Sequence, residues 1–166
     1  MKDLTILIQG PFFEFENYDT NKNIEILKKV FPEANILIST WENESRFSNN
    51  EKHKIIFNKD PGFVNDKHFG SNTPGSNILR QIISVKNGLK EIKSKYTLKI
   101  RSDCYFNSNK ILNLNIDNFL KNRNHSFLKE RIITSSIGSL NQLETKILYH
   151  YSDWFNFGLT EDLSKL

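Results

Sequence analysis

Residues 4–8, Leu4-Thr5-Ile6-Leu7-Ile8, form an almost unbroken apolar run. A strand of that kind must be covered on both faces, as central strands of parallel sheets are. Gln9-Gly10-Pro11 ends the run in a turn. Residues 23–31 then place Ile24, Leu27 and Phe31 on one helical face, with Ile26 and Val30 beside it. Thr20 or Asn21 stands where a cap would sit, and Pro32 stops the helix. Residues 35–39, with Ile36, Leu37 and Ile38, read as a second strand. The opening is thus β-α-β, for which a right-handed crossover is expected.

The alternation continues along the chain. Residues 12–18 mix aromatics with acids and read as loop, and residues 45–52 are polar loop. Residues 54–57 make a third short strand, closed by Asn58-Lys59-Asp60-Pro61-Gly62. Residues 61–75 show no period, and a loop of that length in a domain is either functional or disordered. Residues 77–93 are the clearest helix: Ile78, Ile82, Val85, Leu89 and Ile92 follow helical spacing, and Ser76 can cap it. Residues 96–101 alternate as a strand whose end crowds Lys99, Arg101 and Asp103. A helix over 109–120, a fifth strand over 131–135, a helix over 140–149 and an aromatic segment over 151–158 complete the reading. It describes an α/β sandwich with a mainly parallel sheet.

A length of 166 residues fits one domain, enough to bury roughly 70% of the unfolded surface. The net charge of +4 and pI near 9.1 suit anionic partners such as nucleotide phosphates, acidic lipid surfaces or nucleic acid. An unselected lysine-rich surface explains the same balance. No basic helix or aromatic–basic alternation marks a nucleic-acid module, so no nucleic-acid partner is expected. The single Cys104 excludes an intrachain disulfide and a cysteine zinc cluster, and it points to a reducing compartment. It reads as a buried structural thiol. His53, His68, His125 and His150 are scattered without ligand spacing. No stretch approaches the ~20 apolar residues of a membrane span, and residues 4–8 read as a buried strand and not a signal peptide.

Three constellations can carry chemistry. Asn77, Arg80, Gln81 and Ser84 share one helix face. The helix N-terminus beside Arg80 would suit a phosphate or carboxylate, unless the face simply packs under the preceding loop. Gly70 and Gly75 have the spacing of a P-loop, but Ser76 replaces its lysine and Pro74 removes a cradle N–H. ATPase chemistry of that type is excluded. Arg101-Ser102-Asp103 ends a strand, where ligands meet open α/β sheets. Asp103 could hold Mg²⁺ or Mn²⁺, Lys99 and Arg101 could neutralise a diphosphate directly, or Asp103 could only cap the next turn. Asp153, followed by Trp154 and Phe155, sets an acid among rings that suit sugar stacking, or caps an aromatic core edge.

Six stretches in order carry a resemblance. They are Ile8-Gln9-Gly10-Pro11, Ser39-Thr40-Trp41-Glu42, Asp60-Pro61-Gly62, Asn77-x-x-Arg80-Gln81-x-x-Ser84 with Gly88-Leu89, Tyr96-x-Leu98-Lys99-x-Arg101-Ser102-Asp103, and Ser152-Asp153-Trp154-Phe155-x-Phe157-Gly158. Together they resemble the WavE family of lipopolysaccharide-synthesis proteins, a group of bacterial glycosyltransferases. The resemblance implies a GT-A-like fold, a Rossmann-type three-layer sandwich. It implies a nucleotide-sugar donor and a glycan or glycolipid acceptor, on lipopolysaccharide, capsule or another surface polysaccharide. Donor binding would fall to Gln9, Gly10, Pro11, Thr40, Trp41, Asp60, Asn77, Arg80, Gln81, Lys99 and Arg101. Asp153 would be the catalytic base on the acceptor side, with Trp154 and Phe155 binding the acceptor. Asp103 would be the second catalytic acid and the ligand of a divalent metal, Mg²⁺ or Mn²⁺. Arg101 stands where the family's Asp-x-Asp metal motif has its first acid. Localisation would be cytoplasmic, at the inner face of the bacterial inner membrane, with peripheral membrane association. Family members run longer than this chain. The expectation is therefore one nucleotide-sugar-binding domain over 1–166 with part of the C-terminal acceptor region missing or reduced. Two rivals stay open: a nucleotide-binding module without turnover, and a sugar-binding protein using Trp154 and Phe155 alone.

Overall fold

The computed structural model describes residues 3–47, 53–63, 77–114, 127–137 and 152–166. In chain order these form β1 (Leu4–Gln9), β2 (Glu14–Phe15), β3 (Tyr18–Asp19), α1 (Thr20–Val30), β4 (Asn35–Trp41) and β5 (Lys54–Asn58). They continue with α2 (Ile78–Lys90), β6 (Tyr96–Arg101), a 3₁₀ turn (Lys110–Asn113), β7 (Ile133–Thr134), β8 (Phe155–Leu159) and α3 (Thr160–Leu163). Six strands make one sheet in the order β5-β4-β1-β6-β8-β7, and β2 pairs β3 in a separate hairpin. β5, β4, β1 and β6 run parallel; β8 joins β6 antiparallel and β7 joins β8 antiparallel. The protein is α/β with a mostly parallel central sheet.

Every residue of β1 is buried, as its apolar run requires. Its side chains alternate between two cores. Leu4, Ile6 and Ile8 pack with Ile24, Leu27 and Phe31 of the α1 side. Leu7 packs with Leu37, Leu89 and Leu163 on the face that α2 covers. Fully burying each of these side chains contributes about 1.5–3 kcal/mol. Gly88 sets how closely α2 approaches, because a Cβ there would fall 2.5 Å from Leu7 Cδ1.

Several sequence expectations shift. The helix over 23–31 begins at Thr20, and its cap is neither Thr20 nor Asn21. Asp19, extended at φ −144°, accepts the Lys22 N–H at 2.8 Å. Thr20 is instead drawn inward, accepting the Phe13 N–H at 2.8 Å. The loop over 12–18 contains the β2–β3 hairpin. Its tip holds Glu16 at φ 51°, a conformation side chains seldom adopt.

In α2 the buried residues are Ser84, Gly88 and Leu89, while Ile78 and Ile82 are exposed. Small side chains decided which face lies on the sheet, because they permit the closest approach. Ser84's polarity is satisfied there: its hydroxyl donates to the Arg80 carbonyl at 2.7 Å, and its own carbonyl accepts from Ser39 Oγ at 2.7 Å. α2 ends at Lys90, short of residue 93. The strand over 131–135 is reduced to Ile133–Thr134, and the helix over 109–120 opens as a 3₁₀ turn. The aromatic segment over 151–158 contributes β8 to the sheet. Ser76, most of the loop over 61–75, residues 115–120 and the helix over 140–149 lie outside the described residues.

Candidate functional site

β1 is the strand from which the chain turns both ways. α1 leads to β4 on one side, and α2 later returns the chain to β6 on the other. The loops leaving β1 and β6 meet at the carboxyl ends of these adjacent parallel strands, the edge at which open α/β sheets bind ligands. Gly10 makes the turn out of β1 at φ 122°, where a Cβ would come 2.9 Å from Ser102 Oγ. The two loops are pinned together by the Ser102 N–H donating to the Gln9 carbonyl at 2.9 Å. Above them lies a cavity of about 640 Å³ spanning the ends of β5, β4, β1, β6 and the start of β8.

At the β5 end, Arg80 donates from Nε to Asp60 Oδ1 at 2.7 Å and from Nη2 to Asp60 Oδ2 at 2.5 Å. Its Nη1 reaches Asn77 Oδ1 at 3.1 Å, and the guanidinium lies 4.1 Å from the Phe63 ring centroid. The Gly62 N–H also donates to Asp60. The Arg80 guanidinium holds the Asp60 carboxyl below its ordinary range, and Asp60 in turn raises Arg80. Arg80 thus faces the cavity as half of a neutral pair.

In the middle, Gln9 is 94% buried yet lines the cavity, and its Oε1 has no partner among the described residues. An amide oxygen left unsatisfied is costly, and a ligand donor would relieve it. Beside it, Glu44 accepts the Phe12 N–H at 3.0 Å and a two-pronged contact from Arg46, Nε and Nη2 both at 2.8 Å. The Arg46 contact keeps the Glu44 carboxyl below its usual range against the opposing effect of burial.

At the β6 end, Arg101 donates to Asp103 from Nε at 2.9 Å and Nη2 at 2.5 Å. Its Nη1 lies 3.6 Å from Asp153 Oδ1. One guanidinium sits between two carboxylates, which raise its pKa further. Asp153 Oδ2 is buried and has no partner among the described residues. β8 explains the placement. Being antiparallel, it begins where the parallel strands end, so Asp153, two residues before it, enters the same crevice. Among the described residues no group of three or more His, Cys, Asp or Glu side chains is arranged to hold a metal ion.

A model of the WavE lipopolysaccharide synthesis family matches residues 4–166. The chain belongs to this family. The family's name ties it to lipopolysaccharide synthesis. No curated protein matches the sequence.

In this WavE-family chain the cavity gathers most residues singled out from sequence: Gln9, Gly10, Pro11, Trp41, Asp60, Asn77, Arg80, Gln81, Arg101, Asp103 and Asp153. Four others lie elsewhere. Thr40 points into the protein and is fully buried. Phe155 packs edge-on against Phe106 with centroids 5.1 Å apart, on the margin of the α1-side core. Trp154 is exposed but does not line the cavity. Lys99 is buried beneath the site, where its Nζ donates to the Asp153 carbonyl. Cys104 is half-buried, and burial pushes its thiol up to about 11, which disfavours the nucleophilic thiolate. Sequence reading missed Phe12, Phe13, Glu44, Arg46 and Ser102. One signal was available: Glu44-Ser45-Arg46 follows a strand end with the same acid–base spacing, reversed, as Arg101-Ser102-Asp103.

Lys99 carries a pH prediction. Burial lowers its pKa to about 8, against the attraction of Asp153, whereas an unfolded lysine titrates near ~10.4. Between those values the unfolded chain binds more protons, so stability rises with pH across that interval and is flat below it. The full effect is at most about 3 kcal/mol. Urea unfolding at pH 7.5 and pH 10 is expected to show this gain in the native protein relative to Lys99→Met. Parallel behaviour of the two proteins would refute the assignment.

Proposed function

We propose that the chain is a GT-A-like glycosyltransferase. It moves a sugar from a nucleotide-sugar donor to a lipopolysaccharide or other surface-polysaccharide acceptor. The observation that carries the reading is the pairing of Asp153, whose Oδ2 has no partner among the described residues, and the Arg101 guanidinium at one end of a crevice that extends to β5. From β5 to β6 is three strand spacings, about 14 Å, which suits a nucleoside diphosphate laid across the sheet.

In this reading the acceptor hydroxyl attacks the anomeric carbon of the donor sugar. Its proton passes to Asp153 as the new glycosidic bond forms, in an inverting reaction. The bond from the anomeric carbon to the diphosphate oxygen breaks, and the leaving nucleotide keeps the electron pair. Arg101 faces the charge that develops on that oxygen, and fixed charge of this kind is commonly the largest catalytic contribution. Gln9 and the Asp60–Arg80 pair orient the nucleoside. Lys99 acts from below by tethering the backbone of Asp153.

A divalent ion does not fit this donor set. Both oxygens of Asp103 are engaged by Arg101, whose charge stands between Asp103 and Asp153. Mg²⁺ demands a near-octahedral shell of oxygens, and a guanidinium in that space opposes it. We read Arg101 as the cation of the site.

No helix among the described residues is long and apolar enough to cross a membrane. A lipid-linked acceptor would bring the protein to the inner face of the bacterial inner membrane by peripheral association.

A second reading keeps nucleotide binding without turnover. It is favoured by the internal neutralisation of Arg80 and Arg101, which weakens their pull on phosphate. One screen separates the two. Nucleotides and nucleotide-sugars are tested for a raised melting temperature, and each binder is then tested for donor hydrolysis or transfer. Ligands of the folded state raise its midpoint by mass action. The transferase reading expects a shift of several degrees with one nucleotide-sugar class, followed by turnover. Binding without turnover supports the second reading, and no shift with any nucleotide sinks both.

A further inference from the structure

Four exposed aromatic rings belong to the segments that flank the catalytic end of the cavity. Phe13 lines the cavity itself. Phe15 and Tyr18 face each other across the β2–β3 hairpin, so their rings share a face. Phe13, two residues before Phe15, falls on the same side. Tyr105 follows Asp103 by two residues and stacks on Tyr18, with centroids 5.3 Å apart, planes 23° apart and hydroxyls 3.4 Å apart. Each ring is more than a third exposed, and Phe15 is 62% exposed.

The hairpin and the loop bearing Tyr105 are held together from beneath. Thr20, fully buried, accepts the Phe13 N–H at 2.8 Å and donates to the Ser102 carbonyl at 3.5 Å. Asn23, also buried, donates from Nδ2 to the Cys104 carbonyl at 2.6 Å. Both lie in the first turn of α1, so one helix end fixes the two segments that carry the tyrosines. Glu16 at φ 51° adds local strain at the hairpin tip, which persists only where the surroundings enforce it.

Aromatic faces exposed to water at a rigid site call for a partner with flat apolar surface and polar edges. A pyranose ring has that character: C–H bonds on its face and hydroxyls around its edge. Glu16 at the hairpin tip would accept from such hydroxyls, while Glu14 pairs with Asp19 on the hairpin's other face. These carboxylates oppose an anionic lipid surface or a phosphorylated sugar. We propose that Phe13, Phe15 and the Tyr18–Tyr105 pair form a stacking platform for uncharged pyranose units of the acceptor glycan. It rests on the transferase reading and delivers the acceptor's terminal hydroxyl toward Asp153. It also replaces the Trp154–Phe155 acceptor surface expected from sequence.

The test uses the full chain and a panel of neutral gluco-, galacto- and manno-oligosaccharides, with binding followed by ligand-observed NMR. The expected result is that at least one oligosaccharide binds the native protein. Tyr18→Ala and Tyr105→Ala each weaken it about tenfold, the loss of one stacking contact. Tyr18→Phe stays within about threefold of native, because the ring is retained. The melting shift given by the nucleotide-sugar found above stays unchanged in all three variants, which also shows that they are folded. Native-strength glycan binding by the Tyr18→Ala/Tyr105→Ala double variant would overturn the platform. So would failure of the native protein to bind any member of the panel. Ring-dependent binding to phosphatidylglycerol vesicles in place of oligosaccharide would overturn it in favour of a membrane contact. Ring-dependent glycan binding by a native protein that binds no nucleotide supports the platform and sinks the transferase reading instead.

Discussion

Asp153→Asn is expected to lower sugar transfer by about 10²–10⁴-fold, the usual contribution of a positioned proton acceptor, while donor binding persists. The substitution keeps the shape of the side chain, and the backbone carbonyl that Lys99 holds is untouched. In the proposed reading donor affinity would rest on groups at the other strand ends, chiefly Gln9 and the Asp60–Arg80 pair. The loss should therefore appear in kcat, with little change in the melting shift given by the nucleotide-sugar. Full turnover in this variant would remove Asp153 from the role of base. A parallel collapse of donor binding would instead place Asp153 in the donor site.

The second large effect concerns Arg101. Arg101→Met is expected to cost about 10²–10³-fold in transfer, comparable with losing one charge-stabilising donor in other enzymes. It should also change the protein's response to metal ions. With the guanidinium gone, Asp103 and Asp153 are left as neighbouring carboxylates with no cation between them, and Mn²⁺ could then reach both. Added Mn²⁺ should raise the residual activity of Arg101→Met, whereas the transfer expected of the native protein should respond neither to Mn²⁺ nor to a chelator. Loss of native activity in chelator, restored by Mn²⁺, would refute the assignment of Arg101 as the site's cation.

The sheet was legible because its central strands carry their burial in their composition. Residues 4–8 and 35–39 are apolar on both faces, and both became buried parallel strands. The strand ending at Arg101 was legible from its alternation instead, and Arg101 and Asp103 line the crevice as residues at strand ends in such sheets do. What escaped was whatever depends on partners distant in sequence. β8 looked like an aromatic cluster, because nothing local in Phe155 to Leu159 says that it pairs with β6. The apolar spacing of residues 77–93 identified a helix but not its packing face. Gly88 and Ser84 decided that by admitting the sheet, and they turned Ile78 and Ile82 outward. Lys99 was read as a phosphate ligand from its place near a strand end. It shares a strand face with Arg101 but sits two residues deeper, so its amine lies beneath the crevice under Asp153, which only the packing in three dimensions shows. The platform tyrosines, 87 residues apart, left no joint trace in the sequence.

The antiparallel entry of β8 has a consequence for how such a protein can change over time. The β5 end of the crevice is built by β-α-β units whose strands are close in sequence. Asp153 arrives through a strand whose tethering Lys99 lies 54 residues earlier. In the proposed reading, recognition of the donor and the chemistry upon it would thus fall to separable stretches of chain. Substitutions confined to the second stretch would silence catalysis and leave a nucleotide receptor intact. Alterations at the hairpin would retarget the acceptor without disturbing either.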